Sequence, residues 1–216
     1  MLRATNLAKR YRSTRGRVDA LDGVSIDAQP GEFLALRGPS GCGKSTLLLT
    51  LGGMLHPTEG EVWVDGQNVY QLGGWNRARF RGRRIGFVFQ LFHLVPYLNV
   101  LDNVRIARRK GEAEPPEALL ERLGLAHRLR HTPAELSAGE RQRTAIARAL
   151  INKPALVLAD EPTGNLDPEN ARHVLEHLRS YAAGGGVVLM ATHSDEASAA
   201  ADRVVGMSNG QLRRDK

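Results

Sequence analysis

The segment Gly38-Pro-Ser-Gly-Cys-Gly-Lys-Ser45 constrains the fold more than any other stretch of the chain. Its Gly38, Gly43, Lys44 and Ser45 stand at P-loop spacing, a motif that works as the turn between a strand and a helix. Both neighbours are present. Gly31 to Leu36 is a short apolar run ahead of the loop, and Ser45 to Leu55 behind it is apolar at nearly every position. The glycines have a chemical reason: a polyphosphate needs several convergent donors, and the N–H groups of a tight turn supply them together with the positive end of the next helix. Lys44 adds a point charge for the β- and γ-phosphates, and the Ser45 hydroxyl can ligate Mg2+. Gly38, Pro39, Ser40, Gly41, Cys42, Gly43, Lys44, Ser45 and Thr46 are therefore expected to cradle ATP, with Cys42 a small residue tolerated in the loop.

The flanking sequence extends the same architecture. Ala155 to Asp160 and Val187 to Thr192 are continuous apolar runs of strand length, which fit parallel strands covered on both faces. Between them, Pro168 to Tyr181 places Val174, Leu175 and Leu178 at helical spacing behind a proline suited to a first turn. Leu2 to Tyr11, Val18 to Asp27 and the alternating Glu61 to Asp65 suggest an antiparallel layer. Val100 to about Thr132 lacks strand signals and carries helical segments broken by Gly111, Pro115 and Pro116. The expected fold is α/β: a P-loop NTPase core with a mainly parallel sheet, an N-terminal antiparallel β layer and an inserted α-helical subdomain. One domain spans 1–216, with 1–90 and 153–216 as the core and 91–152 as the helical subdomain.

A strand that ends in an acid supplies the second half of the chemistry. Leu156-Val-Leu-Ala-Asp160 puts Asp160 where a P-loop protein holds its metal, usually through water. Glu161 follows directly, beyond the strand end, where it can orient or deprotonate a water attacking the γ-phosphate; it is the candidate general base.

The bulk of the chain narrows the setting. Its 216 residues suffice for a core, and no apolar run approaches the roughly 20 residues of a membrane-crossing helix. Met-Leu-Arg-Ala-Thr-Asn at the start has no apolar continuation, and Cys42 is the single cysteine, so the expected compartment is the cytoplasm. The net charge of +7 suits anionic partners, with basic residues gathered at Arg77, Arg79, Arg81, Arg83 and Arg84 and again at Arg108, Arg109 and Lys110. No aromatic interleaving or nucleic-acid motif accompanies them, so the expectation is a solvated face rather than a nucleic-acid site.

Further segments bring a resemblance. Leu136-Ser-Ala-Gly-Glu140 resembles the LSGGQ signature of ABC ATPases, and the following Arg-Gln-Arg-Thr-Ala-Ile-Ala-Arg-Ala-Leu resembles that family's signature helix. Gln90, closing the short run Ile85 to Phe89, is similar to the Q-loop glutamine; Asn165-Leu-Asp167 is similar to the D-loop, and His193 to the switch histidine. These motifs fall in family order from about Leu2 to Leu212. The resemblance implies that Gln90 serves metal and catalysis, that His193 senses the γ-phosphate, and that Tyr11 stacks on adenine. It also implies that Ser137, Gly139 and Asp167 contact a nucleotide held by a second copy of the chain, because one P-loop and one signature per chain complete a site only in pairs. Two departures stand out: Ala138 replaces a signature glycine and Glu140 the frequent glutamine.

Within the family, the segments Phe89 to Val104 and Leu158 to Asp167 look most like the ATPase subunits of bacterial lipoprotein release, macrolide efflux and cell division. That implies Mg2+-dependent ATP hydrolysis in a head-to-tail dimer on the cytoplasmic face of the inner membrane, coupled to a membrane permease or mechanotransmitter. The apolar stretch after Gln90 suits a groove for a short helix of that partner. A soluble ABC-type ATPase acting on nucleic acid or ribosomes is the alternative; it would normally need two cassettes or a long coiled-coil insertion. A switch without catalysis would need neither Glu161 nor His193.

Overall fold

The computed structural model describes residues 1–13, 16–111 and 114–213. In chain order its elements are β1 (Leu2–Ser13), β2 (Gly16–Ala28), β3 (Phe33–Arg37), α1 (Lys44–Leu51), β4 (Glu59–Val64), β5 (Gln67–Asn68), α2 (Gly74–Arg84) and β6 (Ile85–Phe89). They continue with α3 (Val100–Arg105), α4 (Pro116–Arg122), α5 (Ala138–Leu150), β7 (Leu156–Asp160), α6 (Pro168–Ala183), β8 (Val187–Thr192), α7 (Asp195–Ala199), β9 (Arg203–Ser208) and β10 (Gln211–Arg213).

Burial separates the strands into two kinds. All of β8 and the first four residues of β7 are buried, as continuous apolar strands covered on both faces must be. They belong to a sheet ordered β10-β9-β3-β8-β7-β6, parallel except for the antiparallel edge strand β10. By contrast, β2 buries alternate residues along its second half, and it forms the antiparallel sheet β2-β1-β4-β5. Burying one Leu, Val or Ile side chain contributes about 1.5–3 kcal/mol, so this alternation fixes which face of the antiparallel layer turns inward.

Two apolar clusters sandwich the parallel sheet. One joins its Leu34, Leu36, Leu158 and Leu189 to α1 and to Leu7, Val24 and Val62 of the antiparallel layer. The other joins Phe33, Val88, Val157 and Val188 on the opposite face to Val104, Leu120, Ile146 and Leu178 of the helices. The inserted helices α3, α4 and α5 thus share their core with the sheet. The helix α2, with arginine at five of its eleven positions, buries none of its residues, which is why hydrophobic periodicity does not announce it.

Candidate functional site

Parallel pairing sets the site. Phe89 lies opposite Asp160, Asp160 opposite Ala191, and Arg37 opposite Thr192, so the strands end together. Gln90, Asp160 with Glu161, His193 and the glycine loop consequently emerge along one edge of the sheet, where doubly wound folds bind ligands.

The loop's glycines are sterically required. A Cβ at Gly38 would stand 2.2 Å from the Met207 carbonyl oxygen, and one at Gly43 would stand 2.4 Å from that of Ala20, with φ at +111° besides. Gly43 caps α1, and Lys44 opens it; the Lys44 ammonium donates to the Gly38 and Pro39 carbonyls at 2.7 and 3.0 Å. An open cavity of about 560 Å3 lies over this turn, lined by Ser40 to Thr46, Asp160 and Glu161, and by Val18 and Ala20 of β2. Cys42 is buried, packed towards Gly38, so the loop holds its thiol away from solvent reagents.

The carboxylates differ in environment. Burial pushes the Asp160 carboxyl above its ordinary pKa and Glu161 repels its charge further, while a hydrogen bond with Ser45 and the Lys44 charge pull the other way. A hydroxyl and a carboxylate held together, in a spot where the anion needs a counter-cation, form a donor set of hard oxygens suited to Mg2+ that also binds phosphate. Among the described residues no cluster of three or more His, Cys, Asp or Glu could hold a metal by itself.

Glu161 adopts a left-handed backbone (φ +46°), fixed by its N–H donating to the Ala191 carbonyl at 2.9 Å. Such a conformation costs a non-glycine residue on the order of 1 kcal/mol and recurs at functional sites. It brings Glu161 Oε1 to 2.9 Å from His193 Nδ1, so a proton on that nitrogen is shared with the carboxylate. His193 itself is exposed, its side chain 65% accessible.

The resemblance-derived residues occupy two further places. The Gln90 amide packs on Gly164, and Asn165 Nδ2 donates to the Gln90 carbonyl at 3.2 Å, tying the Q-loop to the D-loop. Ser137 caps α5: its Oγ accepts from the Glu140 N–H at 3.2 Å, and Glu140 Oε2 accepts from the Ser137 N–H at 2.8 Å. Asp167 caps α6 by accepting from the Asn170 N–H at 3.0 Å. Ser137, Gly139 and Asp167 do not line the P-loop cavity of their own chain, and neither does Gln90. Tyr11 is 42% exposed and pairs with Val18 at the tip of the β1–β2 hairpin; Val18 lines the cavity and Tyr11 does not.

Comparison with known proteins matches this geometry. The family model described as ABC transporter aligns with residues 21–164, two thirds of the chain. The chain belongs to the ABC transporter family. The cassette is 44% identical over 98% of its length to the lipoprotein-releasing system ATP-binding protein LolD of Pseudomonas syringae pv. tomato, covering 96% of that protein. It is 43% identical over its whole length to the macrolide export ATP-binding/permease protein MacB of Chlorobium luteolum, of which it spans 33%. Among solved structures, the dimeric post-hydrolysis state of the ATP-binding cassette MJ0796 bound to ADP and Pi superposes with a TM-score of 0.90 at 33% identity, over 100% of this chain and 98% of that one.

The two departures in the signature have physical accounts. Ala138 sits in the first turn of α5 without a positive φ, so its methyl adds no backbone strain. Gly139 has no such latitude, because a Cβ there would fall 2.0 Å from Asn170 Oδ1. Glu140 is buried, and burial alone would raise its pKa; the Ser137 N–H, the Arg128 guanidinium at 2.7 Å and the Ser137 hydroxyl outweigh that and hold it at about 2.

Other residues of the site escape motif reading. Gln142 Nε2 donates to the Pro162 carbonyl at 2.7 Å, joining α5 to the turn after Glu161. Arg143 donates to Asn170 Oδ1 at 2.8 Å, joining it to the start of α6. Nothing in residue type marks Arg128, Gln142 or Asn170 in advance, since each partner lies 12 to 27 residues away.

Proposed function

We propose that the chain is the ATP-hydrolysing subunit of a membrane transport or mechanotransmission machine, of the kind that releases lipoproteins or exports small molecules. Two copies close head to tail over two nucleotides. The observation that carries this reading is the placement of the glycine loop, Asp160, Glu161 and His193 on one sheet edge, with the cap at Ser137 elsewhere on the same chain.

The residues divide the work as follows. Backbone N–H groups of Gly41 to Ser45 and the Lys44 ammonium bind the β- and γ-phosphates of ATP. Ser45 and Asp160, with Gln90, would hold Mg2+, which would supply positive charge to offset that of the phosphates. Glu161, steadied by His193, accepts the proton of a water lying in line with the γ-phosphate. Ser137 and the first-turn N–H groups of Ala138 and Gly139, at the opening of α5, meet the γ-phosphate held by the twin. Asp167 lines the same seam, and Tyr11 supplies a flat ring for adenine from the hairpin tip.

The membrane partner docks beside the Q-loop. A cleft of about 400 Å3 there is lined by Phe87, Phe89, His93, Ala107 and Arg148, and Leu91 and Tyr97 stand 70% and 82% exposed nearby. No helix among the described residues is long and apolar enough to cross a membrane; docked on such a partner, the cassette sits peripherally on the inner membrane. The test is phosphate release from ATP by the purified chain: it should require Mg2+ and fall at least a hundredfold in Glu161→Gln. Release that survives the substitution would remove Glu161 as the base.

A further inference from the structure

Asn170, in the first turn of α6, has both ends of its amide engaged. Its Oδ1 accepts from the Arg143 guanidinium at 2.8 Å, and its Nδ2 donates to Asp167 Oδ2 at 2.7 Å, while the Asn170 N–H donates to the other carboxylate oxygen at 3.0 Å. These partners fix which way the amide points, because a guanidinium only donates and a carboxylate only accepts. A cation on α5 and an anion at the opening of α6 are thereby joined through one neutral side chain.

The same amide lies over the signature. A Cβ at Gly139 would stand 2.0 Å from Asn170 Oδ1, so Asn170 packs on the backbone that opens α5 while it holds Asp167. The Asn170 N–H and then its amide keep the Asp167 carboxyl below its ordinary pKa, so the anion persists at neutral pH. Residue type matters here. A carboxylate in place of the amide would face Asp167 with like charge, and an aliphatic side chain would leave both Arg143 and Asp167 without this partner.

We infer that Asn170 is a positioning residue, which locks the signature turn at Ser137 to Gly139 and the D-loop at Asp167 into one contact surface for the nucleotide of the twin. The inference rests on the shared site of the proposed function and adds that its two loops are presented together. A bridge between their first turns removes the freedom of each to move alone, which lowers the ordering cost of closing the dimer. Neither Arg143 nor Asn170 lines the P-loop cavity of its own chain, so nucleotide binding by a single chain does not depend on the bridge.

The experiment follows dimerisation in Mg-ATP by light scattering over a concentration series, for the chain carrying Glu161→Gln alone and with Asn170→Asp added. The added substitution is isosteric, so the packing on Gly139 is kept, but it replaces the Nδ2 donor with an oxygen facing Asp167. The dimer dissociation constant should rise about tenfold, each dimer carrying the bridge twice. Fluorescent-ATP binding to the single chain should be unchanged. Arg143→Met, a second variant that attacks the bridge from its other end, should weaken dimerisation about threefold. Adding Asp167→Asn to Asn170→Asp exchanges amide and carboxylate, sets a donor against an acceptor again, and should recover most of the loss; a role in packing alone gives no such recovery. Unchanged dimerisation in Asn170→Asp or Arg143→Met, a parallel loss of single-chain ATP binding, or an exchange variant no tighter than Asn170→Asp would each overturn the inference. A Glu161→Gln parent that stays monomeric would overturn the shared site and this inference with it, whereas a dimerising parent with an indifferent Asn170→Asp chain counts against the inference alone.

Discussion

Replacing Glu140 separates the cap of the signature helix from the nucleotide loop. Glu140→Gln keeps an oxygen that can accept from the Ser137 N–H, but removes the charge facing Arg128. A pKa moved from 4.5 to about 2 corresponds to a ceiling of roughly 3 kcal/mol. Arg128 is one third exposed and can recover water, so the expected loss is about 1–2 kcal/mol. Glu140→Ala also removes the capping box and should cost about 2–4 kcal/mol, or roughly 5–12 °C in melting temperature for a chain of this size. The folded pKa lies below the unfolded one, so the stabilisation is complete above about pH 4.5 and is lost as pH falls towards about 2. The gap between wild type and Glu140→Gln in urea unfolding should therefore narrow by up to about 0.8 kcal/mol from pH 7 to pH 4. A gap that widens on acidification, or a Glu140→Ala protein as stable as wild type, would refute the argument.

Lys44→Ala should weaken ATP binding at least tenfold in a fluorescent-nucleotide titration; unchanged affinity would take Lys44 out of the phosphate site. Ser137→Arg should leave nucleotide binding to the single chain intact and abolish phosphate release, and an active variant would argue against a shared site. Gly139→Ala drives a methyl into the Asn170 amide, so turnover should drop several-fold and stability by about 1–3 kcal/mol, against little change for Ala138→Gly.

Much of this was legible in the residues because the P-loop couples local spacing to topology: Gly38 to Ser45 demands a strand before it and a helix after it, and β3 and α1 supply them. The apolar runs at β7 and β8 were equally plain, since strands covered on both faces carry no polar alternation. The short β9 and β10, the arginine-rich α2 and α7 were not anticipated: β9 and β10 are stabilised by distant neighbours, and α2 lacks an apolar face. Site residues divide in the same way. Asp160 and Glu161 follow from a strand end, whereas Arg128, Gln142 and Asn170 act through contacts that appear only after folding. The expectation of a solvated arginine cluster assumed one environment for all five residues, yet Arg77 and Arg81 turn inward and Arg79 and Arg83 line a cleft.

The central claim is that the glycine loop of one protomer and the α5 cap of its twin share each nucleotide. Light scattering coupled to gel filtration of Glu161→Gln in Mg-ATP tests it most directly. The predicted mass is twice that of the 23.6 kDa chain, returning to single-chain mass when Ser137→Arg is added. A Glu161→Gln protein that stays monomeric with ATP bound would contradict it.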